Sequence, residues 1–183
     1  MKILFVVDAR SPTATNWIRH FANHGDEIHI ASTFQCELDF PIKSLEITPV
    51  AFSSVKKSSQ RPGTASARTV KLRTAIRQWF GPLTIRRASQ RLRGYIQRVQ
   101  PDLIHAMRIP YEGMMAADAY TGIPLIVSIW GNDFTLHAPS TSMMSHYTRW
   151  TMQVADALHA DCERDVRLAH EWGLNVDKPT LVT

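Results

Sequence analysis

Short apolar runs that alternate with amphipathic segments are the feature that most constrains the fold of this chain. Most of these runs are β-branched or leucine-rich, as expected of buried parallel strands. The predicted strands are Lys2–Val7, Glu27–Ala31, Ser44–Pro49, Asp102–Ala106, Pro124–Trp130, Ala157–Ala160 and Leu181–Val182. The predicted helices are Thr13–Asn23, Val70–Phe80, Leu83–Val99, Tyr111–Tyr120, Ser142–Val154 and Glu163–Trp172. This alternation predicts an α/β fold built on a doubly wound parallel sheet flanked by helices.

The size and composition of the chain fit one such domain. The 183 residues, 44% of them hydrophobic and 20% charged, show no second-domain boundary. No apolar run approaches the roughly 20 residues of a membrane-spanning helix, and Lys2–Val7 is too short for a signal peptide. Cys36 and Cys162 follow no disulfide or zinc pattern. We therefore expect a cytoplasmic protein.

Two segments depart from the regular pattern. Phe52–Ala67 is rich in Ser, Lys, Thr, Pro and Gly, which predicts a mobile basic loop. At the other end, Lys178–Thr183 has the composition of a strand that is just beginning. We therefore expect residues 1–183 to be one domain of a longer protein.

The stretch Pro124–Phe134 carries the strongest indication of a binding site. Its apolar run stops abruptly at Trp130, Gly131, Asn132 and Asp133. Ligands of an open parallel sheet bind at the carboxyl ends of its strands, and this turn offers a stacking face, an amide and a carboxylate there. The alternative is a tight turn held by an Asx hydrogen bond. His137 follows and could face the same cleft or the solvent.

The loop after the first predicted strand is a second candidate, because it leads into a helix N-terminus, which favours anions. Its small hydroxyl-bearing residues would let a ligand approach: Ser11, Thr13 and Thr15. The chain has neither GxGxxG nor GxxxxGK[ST], which argues against a dinucleotide or P-loop site. The alternative is that Thr13 or Thr15 only caps the helix.

Other polar residues follow two later strands. His105 could meet a substrate or be hydrogen-bonded inside the sheet, whereas Arg108 is costly to bury without a partner. Glu112 could simply complement a helix dipole. Asp161 is expected to cap the last helix, and Arg164 either clamps an anion or pairs with a nearby carboxylate.

The positive charge of the chain is concentrated in one interval. No acidic residue lies between Glu46 and Asp102, and twelve Lys or Arg residues do, from Lys56 to Arg98. This interval could be a solvated helical face, a surface for an anionic membrane, or a nucleic-acid surface. Trp79 and Phe80 beside Arg77 favour a membrane over nucleic acid.

The order of these motifs resembles the N-terminal half of retaining glycosyltransferases of the GT-B fold, of the group 1 or family 4 type. The residues that carry the resemblance are the first strand with its loop and helix, His24-Gly25, Asp26–Ile30, Pro101–Ala106, the WGND turn, Ala155–Asp161 and Trp172–Leu174. It covers nearly the whole chain apart from Phe52–Ala67.

The resemblance implies a Rossmann-like domain that binds the acceptor, while a C-terminal domain, absent here, binds the nucleotide-sugar. It implies sugar transfer with retention, no metal, and no cofactor besides the nucleotide-sugar co-substrate. Asp133 matches the acid of the family motif and is the candidate catalytic residue. The family often has Gly-Gly where Ser11–Thr15 stands, and His where Trp130 stands, so neither phosphate contact by the loop nor proton chemistry at Trp130 is implied.

The resemblance, with Trp130 as a variant associated with polysaccharide-assembly members, implies the acceptor-binding domain of a glycosyltransferase in cell-envelope polysaccharide assembly, inactive by itself. Its expected partners are a saccharide or lipid-linked acceptor and an anionic membrane surface at Lys56–Arg98, with nucleic acid least favoured. The predicted substrate-binding residues are Ser11, Thr13, Thr15, Arg108, Trp130, Gly131, Asn132, His137 and Arg164. The alternative function is a non-catalytic module that binds a carbohydrate or an anionic surface.

Overall fold

A seven-stranded parallel sheet forms the centre of the protein. The computed structural model describes residues 1–50 and 81–183. Its strands are β1 (Lys2–Val7), β2 (Glu27–Ser32), β3 (Ser44–Ile47), β4 (Leu103–Ala106), β5 (Leu125–Ile129), β6 (Ala157–Ala160) and β7 (Thr180–Val182). The strand order is β3-β2-β1-β4-β5-β6-β7, and every neighbouring pair is parallel. The predicted Rossmann-like α/β class is therefore confirmed.

Helices cover both faces of the sheet. The α-helices are α1 (Pro12–Asn23), α2 (Ile85–Val99), α3 (Met114–Asp118), α4 (Ser142–Val154) and α5 (Glu163–Glu171). Short 3-10 turns span Gly81–Thr84 and Ala138–Ser140, and single π-turns span Ile109–Gly113 and Asp133–His137. No helix among the described residues is long and apolar enough to cross a membrane.

Strand periodicity divides the core between the two faces. Leu4 and Val6 of β1 belong to a large cluster with α2, α3, α4 and α5. Ile3 and Phe5, which point the other way, pack with Ile18 of α1. Because successive side chains alternate across a strand, one six-residue strand contributes to both cores. The strand ends are thereby fixed from both sides, which gives the site a rigid base.

Several predicted boundaries were wrong, each for a local reason. The third strand stops at Ile47, because only Ser44–Ile47 pairs with β2. The predicted helix Tyr111–Tyr120 becomes α-helical only at Met114, since Tyr111 has a φ of 106°. The fifth strand excludes Trp130. The predicted loop Phe52–Ala67 and helix Val70–Phe80 lie outside the described residues.

The predicted helix caps also need correction. Ser11, not Thr13 or Thr15, caps α1, because its side chain accepts a hydrogen bond from the backbone N–H of Ala14. At α5 the capping position is Cys162 rather than Asp161, and its side chain makes no capping bond.

Candidate functional site

A polar cleft opens at the carboxyl ends of β1, β4 and β5. The strand order reverses between β1 and β4, and such a switch point is where open α/β sheets bind ligands. The cleft has a volume of about 160 Å³. Its polar and aromatic lining residues are Asp8, Arg10, Ser11, Phe34, Arg108, Glu112 and Trp130. Three of the predicted substrate-binding residues, Ser11, Arg108 and Trp130, therefore lie together.

Asp133 joins the loop after β4 to the turn after β5. The side chain is fully buried, and Arg108 Nε donates to its Oδ1 at 2.8 Å. The backbone N–H groups of Ile109 and Trp130 approach its Oδ2 at 3.2 and 3.4 Å. Burial raises the pKa of Asp133, and the charge and hydrogen bond of Arg108 oppose that rise. Asp133 can thus reach a ligand only through the residues that it holds.

Arg108 is the part of this unit that faces outward. Its side chain is 42% exposed and lines the cleft, whereas its Nε is committed to Asp133. His137 lies behind it, with Nε2 at 3.4 Å from a terminal guanidinium nitrogen. His137 is therefore placed beside Arg108 rather than in the cleft lining.

The WGND turn contributes one side chain to the cleft. Trp130 lines it and also borders a neighbouring hollow that includes Thr13. Gly131, with φ of 61°, and Asn132 form the exposed tip of the turn and do not line the cleft. The Trp130 N–H bonds to Asp133, which lies three residues after it, so this contact is not the Asx bond that the alternative prediction required.

The remaining predicted residues lie at the margins. Thr15 Oγ1 donates back to the carbonyls of Ser11 and Pro12, both at 3.1 Å, so its hydroxyl serves its own helix. Arg164 pairs with Asp165 at 2.9 Å and comes within 3.5 Å of the Gly131 carbonyl. Of the two alternatives for Arg164, the geometry matches the local ion pair.

Arg10 is a cleft residue that the sequence did not single out. Its Nε and a terminal nitrogen donate to the two carboxylate oxygens of Asp8 at 2.9 and 2.8 Å. The guanidinium also lies over the Phe34 ring, 3.3 Å from its centroid. Two partners of different kinds therefore fix this cation, a bidentate carboxylate and an aromatic face.

Glu112, interpreted from the sequence only as a possible helix-dipole partner, is a second cleft residue that was not predicted as one. It is only 6% exposed, and Thr33 Oγ1 donates to its Oε1 at 2.7 Å. Burial raises the pKa of the Glu112 carboxyl to about 7. One sequence feature could have identified Glu112 as a cleft candidate: it is the one charged residue in the apolar run Ile109–Ala117. A carboxyl in such a run needs a partner or a function.

His105 belongs to the sheet, as its structural alternative predicted. Its Nε2 is hydrogen-bonded to Ser128 Oγ at 2.8 Å, and that oxygen also contacts His159 Nδ1 at 3.0 Å. Burial lowers the pKa of His105 to about 3, so it stays neutral at physiological pH. Among the described residues no group of three His, Cys, Asp or Glu side chains could hold a metal ion.

Comparisons with known proteins agree with this fold. The sequence profile of the glycosyl transferase 4-like domain matches residues 11–183. A search of the curated proteins gives no match. The UDP-GlcNAc 2-epimerase from Neisseria meningitidis bound to UDP-GlcNAc superposes with a TM-score of 0.59 and 15% identity, covering 100% of this chain and 46% of that one.

A second solved structure gives the same result. The UDP-N-acetylglucosamine 2-epimerase from Rickettsia bellii superposes with a TM-score of 0.56 and 11% identity, over 99% of this chain and 44% of its own. At these identities the likeness concerns the fold alone. The chain spans less than half the length of either epimerase chain.

Proposed function

The chain belongs to the glycosyl transferase 4-like domain family, and we propose that its cleft binds the acceptor of a sugar transfer. Its fold is that of the N-terminal domain of a GT-B glycosyltransferase. The donor would be a nucleotide-sugar held by a second domain, and the sugar would be transferred with retention. One observation carries the proposal: Asp133 fixes Arg108 and Trp130 at the switch point of the sheet.

Each side chain has a distinct role in this proposal. Arg108 supplies hydrogen-bond donors that contact the acceptor, and Trp130 supplies a flat apolar face for a sugar ring. Asp133 is a positioning residue, because it is buried behind both. No metal or cofactor is required. The first domain alone is expected to be inactive, because the proposed donor site belongs to the second domain.

We further propose that the acceptor is presented at an anionic membrane surface, as expected for cell-envelope polysaccharide assembly. Helix α2 exposes arginines on the side opposite its core residues: Arg86, Arg87, Arg91, Arg93 and Arg98. Arg98 pairs with Glu46, and Arg93 donates to the Asp118 carbonyl. Within the described part of the chain, Arg87 and Arg91 make no ion pair, so their charges are available to anionic lipid headgroups.

A transfer assay tests the proposed activity. The intact protein, including any sequence beyond Thr183, would be incubated with labelled nucleotide-sugars and a membrane extract that contains acceptors. We expect label in the saccharide or lipid fraction, lost in Trp130→Ala and kept in the surface control Arg167→Ala. If no nucleotide-sugar is transferred or hydrolysed while the cleft still binds saccharide, the non-catalytic binding module is the correct function instead.

A further inference from the structure

The charges around the cleft indicate which part of an acceptor it accommodates. Both arginines of the lining are already neutralised by carboxylates. Arg10 is held by both oxygens of Asp8, and Arg108 by Asp133. The terminal nitrogens of Arg108 can still donate to a neutral hydroxyl, but a phosphate or carboxylate ligand would meet two guanidinium charges that are already paired. The cleft thus contains positive groups but little net positive charge.

Glu112 makes the net charge of the cleft still less favourable for an anion. Its carboxyl is buried at the cleft wall, and its hydrogen-bond donors are neutral: the Thr33 hydroxyl and its own backbone N–H. The charged groups that act on it are Arg108, Arg10 and Asp8, and each of the two arginines is bonded to a different carboxylate. Ionised, Glu112 makes the cleft net negative; protonated, it becomes a hydrogen-bond donor.

The N-terminus of α1 offers little compensation for a negative ligand. Pro12 opens the helix and has no N–H. The N–H of Ala14 is bonded to the Ser11 side chain, and that of Thr15 to the Ser11 carbonyl. A helix start of this kind has few of the free donors that make an anion site. The anion preference that the sequence suggested for this loop therefore lacks support in the geometry.

We propose that the cleft accommodates an uncharged, hydroxyl-bearing sugar ring and excludes phosphorylated or acidic sugars, with Glu112 binding a ring hydroxyl opposite the Trp130 face. This inference rests on the proposed acceptor role and specifies its substrate class. Any phosphate of a lipid-linked acceptor then lies outside the cleft. Acidic and phosphorylated sugars are excluded more strongly as pH rises, because Glu112 ionises near neutrality and adds a negative charge to the cleft.

NMR titration tests the inference directly. The indole N–H of Trp130, assigned with Trp130→Phe, would be followed while methyl glucoside, methyl mannoside or methyl galactoside is added. Glucose 6-phosphate, mannose 6-phosphate and inorganic phosphate form the second arm. We expect at least one methyl glycoside to shift the Trp130 signal at concentrations where the phosphorylated probes do not. A stronger response to any phosphorylated probe, or no response to any glycoside, would overturn the inference.

Substitution of Glu112 separates a binding role from a structural one. Glu112→Gln keeps the shape of the side chain and an acceptor for Thr33, so glycoside binding should remain within about twofold. Binding of glucose 6-phosphate at alkaline pH should improve roughly fivefold, because one negative charge is removed from the cleft. Glu112→Ala should lose glycoside binding. Glu171→Gln, an exposed change on α5, should alter neither. An unchanged phosphate response in Glu112→Gln would contradict the role of Glu112.

The two proposals fail in distinguishable ways. If glycosides bind but no sugar is ever transferred, the enzymatic function fails and the preference of the cleft stands. If transfer occurs but the preferred acceptor is phosphorylated at the ring that contacts Trp130, this inference alone fails.

Discussion

Arg108 Nε donates a 2.8 Å hydrogen bond to Oδ1 of Asp133, a carboxylate with no exposed surface. The two residues belong to different strand ends, and the bond fixes the loop after β4 against the turn after β5. The same carboxylate accepts from the Trp130 backbone. One buried group therefore determines where both a donor side chain and an aromatic face stand in the cleft.

Asp133→Asn should destabilise the protein more than its small change in shape implies. The new amide turns a donor toward the donors of Arg108, Ile109 or Trp130. Leaving such buried groups unpaired costs about 1–3 kcal/mol in the free energy of unfolding. Urea unfolding measures this loss, with the exposed Asp161→Asn as the matched control. Equal stability of the two variants would show that Asp133 does not hold the turn.

Glu112 should make stability fall as pH rises. Its folded pKa, about 7, lies above the ordinary value of 4.5, so its contribution is complete below about pH 4.5 and is lost as pH rises through 7. The total change is on the order of 3 kcal/mol. The difference in unfolding free energy between wild type and Glu112→Gln, measured at about pH 5 and about pH 8, isolates this group from other titrations. Parallel pH profiles of the two proteins would contradict the assignment.

Two glycines should respond in opposite ways to alanine. A Cβ at Gly113 would stand 3.0 Å from the Arg108 carbonyl and 3.1 Å from Thr151 Cγ2. Gly113→Ala should therefore cost about 1–3 kcal/mol through overpacking beside the cleft. Gly94, inside α2, has room for a methyl group, so Gly94→Ala should stabilise by about 0.5–1 kcal/mol. Thermal unfolding of both variants checks the pair, and a harmless Gly113→Ala would mean that this loop can move away from α4.

The arginines of α2 should govern membrane binding. Replacing Arg87 and Arg91 by alanine is expected to weaken sedimentation with phosphatidylglycerol vesicles by about 2 kcal/mol, roughly 1 kcal/mol per charge. The control pair Arg149→Ala and Arg167→Ala should leave binding unchanged. Binding of the wild type should weaken as salt increases. Equal affinity for phosphatidylcholine vesicles would instead assign these arginines to a solvated face.

The sequence predicted the sheet well because its inner strands, β1, β2, β4, β5 and β6, are largely buried and therefore appear as short apolar runs. It also identified Trp130, Arg108 and Asp133, which stand next to strand ends. It could not predict that Asp133 is buried, because that depends on Arg108, 25 residues away. The place of Glu112 in the cleft was not predicted for the same reason, since its partner Thr33 is 79 residues away. The late start of α3 depends on the backbone of Tyr111.

The response of each substrate to Arg108→Ala tests the acceptor assignment most directly. In a transfer assay of the intact protein, the KM for the acceptor should rise about tenfold or more, since a charge-assisted hydrogen bond is worth about 1.5–3 kcal/mol. The KM for the nucleotide-sugar should stay unchanged. A rise in the nucleotide-sugar KM with an unchanged acceptor KM would contradict the central claim, because the cleft would then belong to the donor.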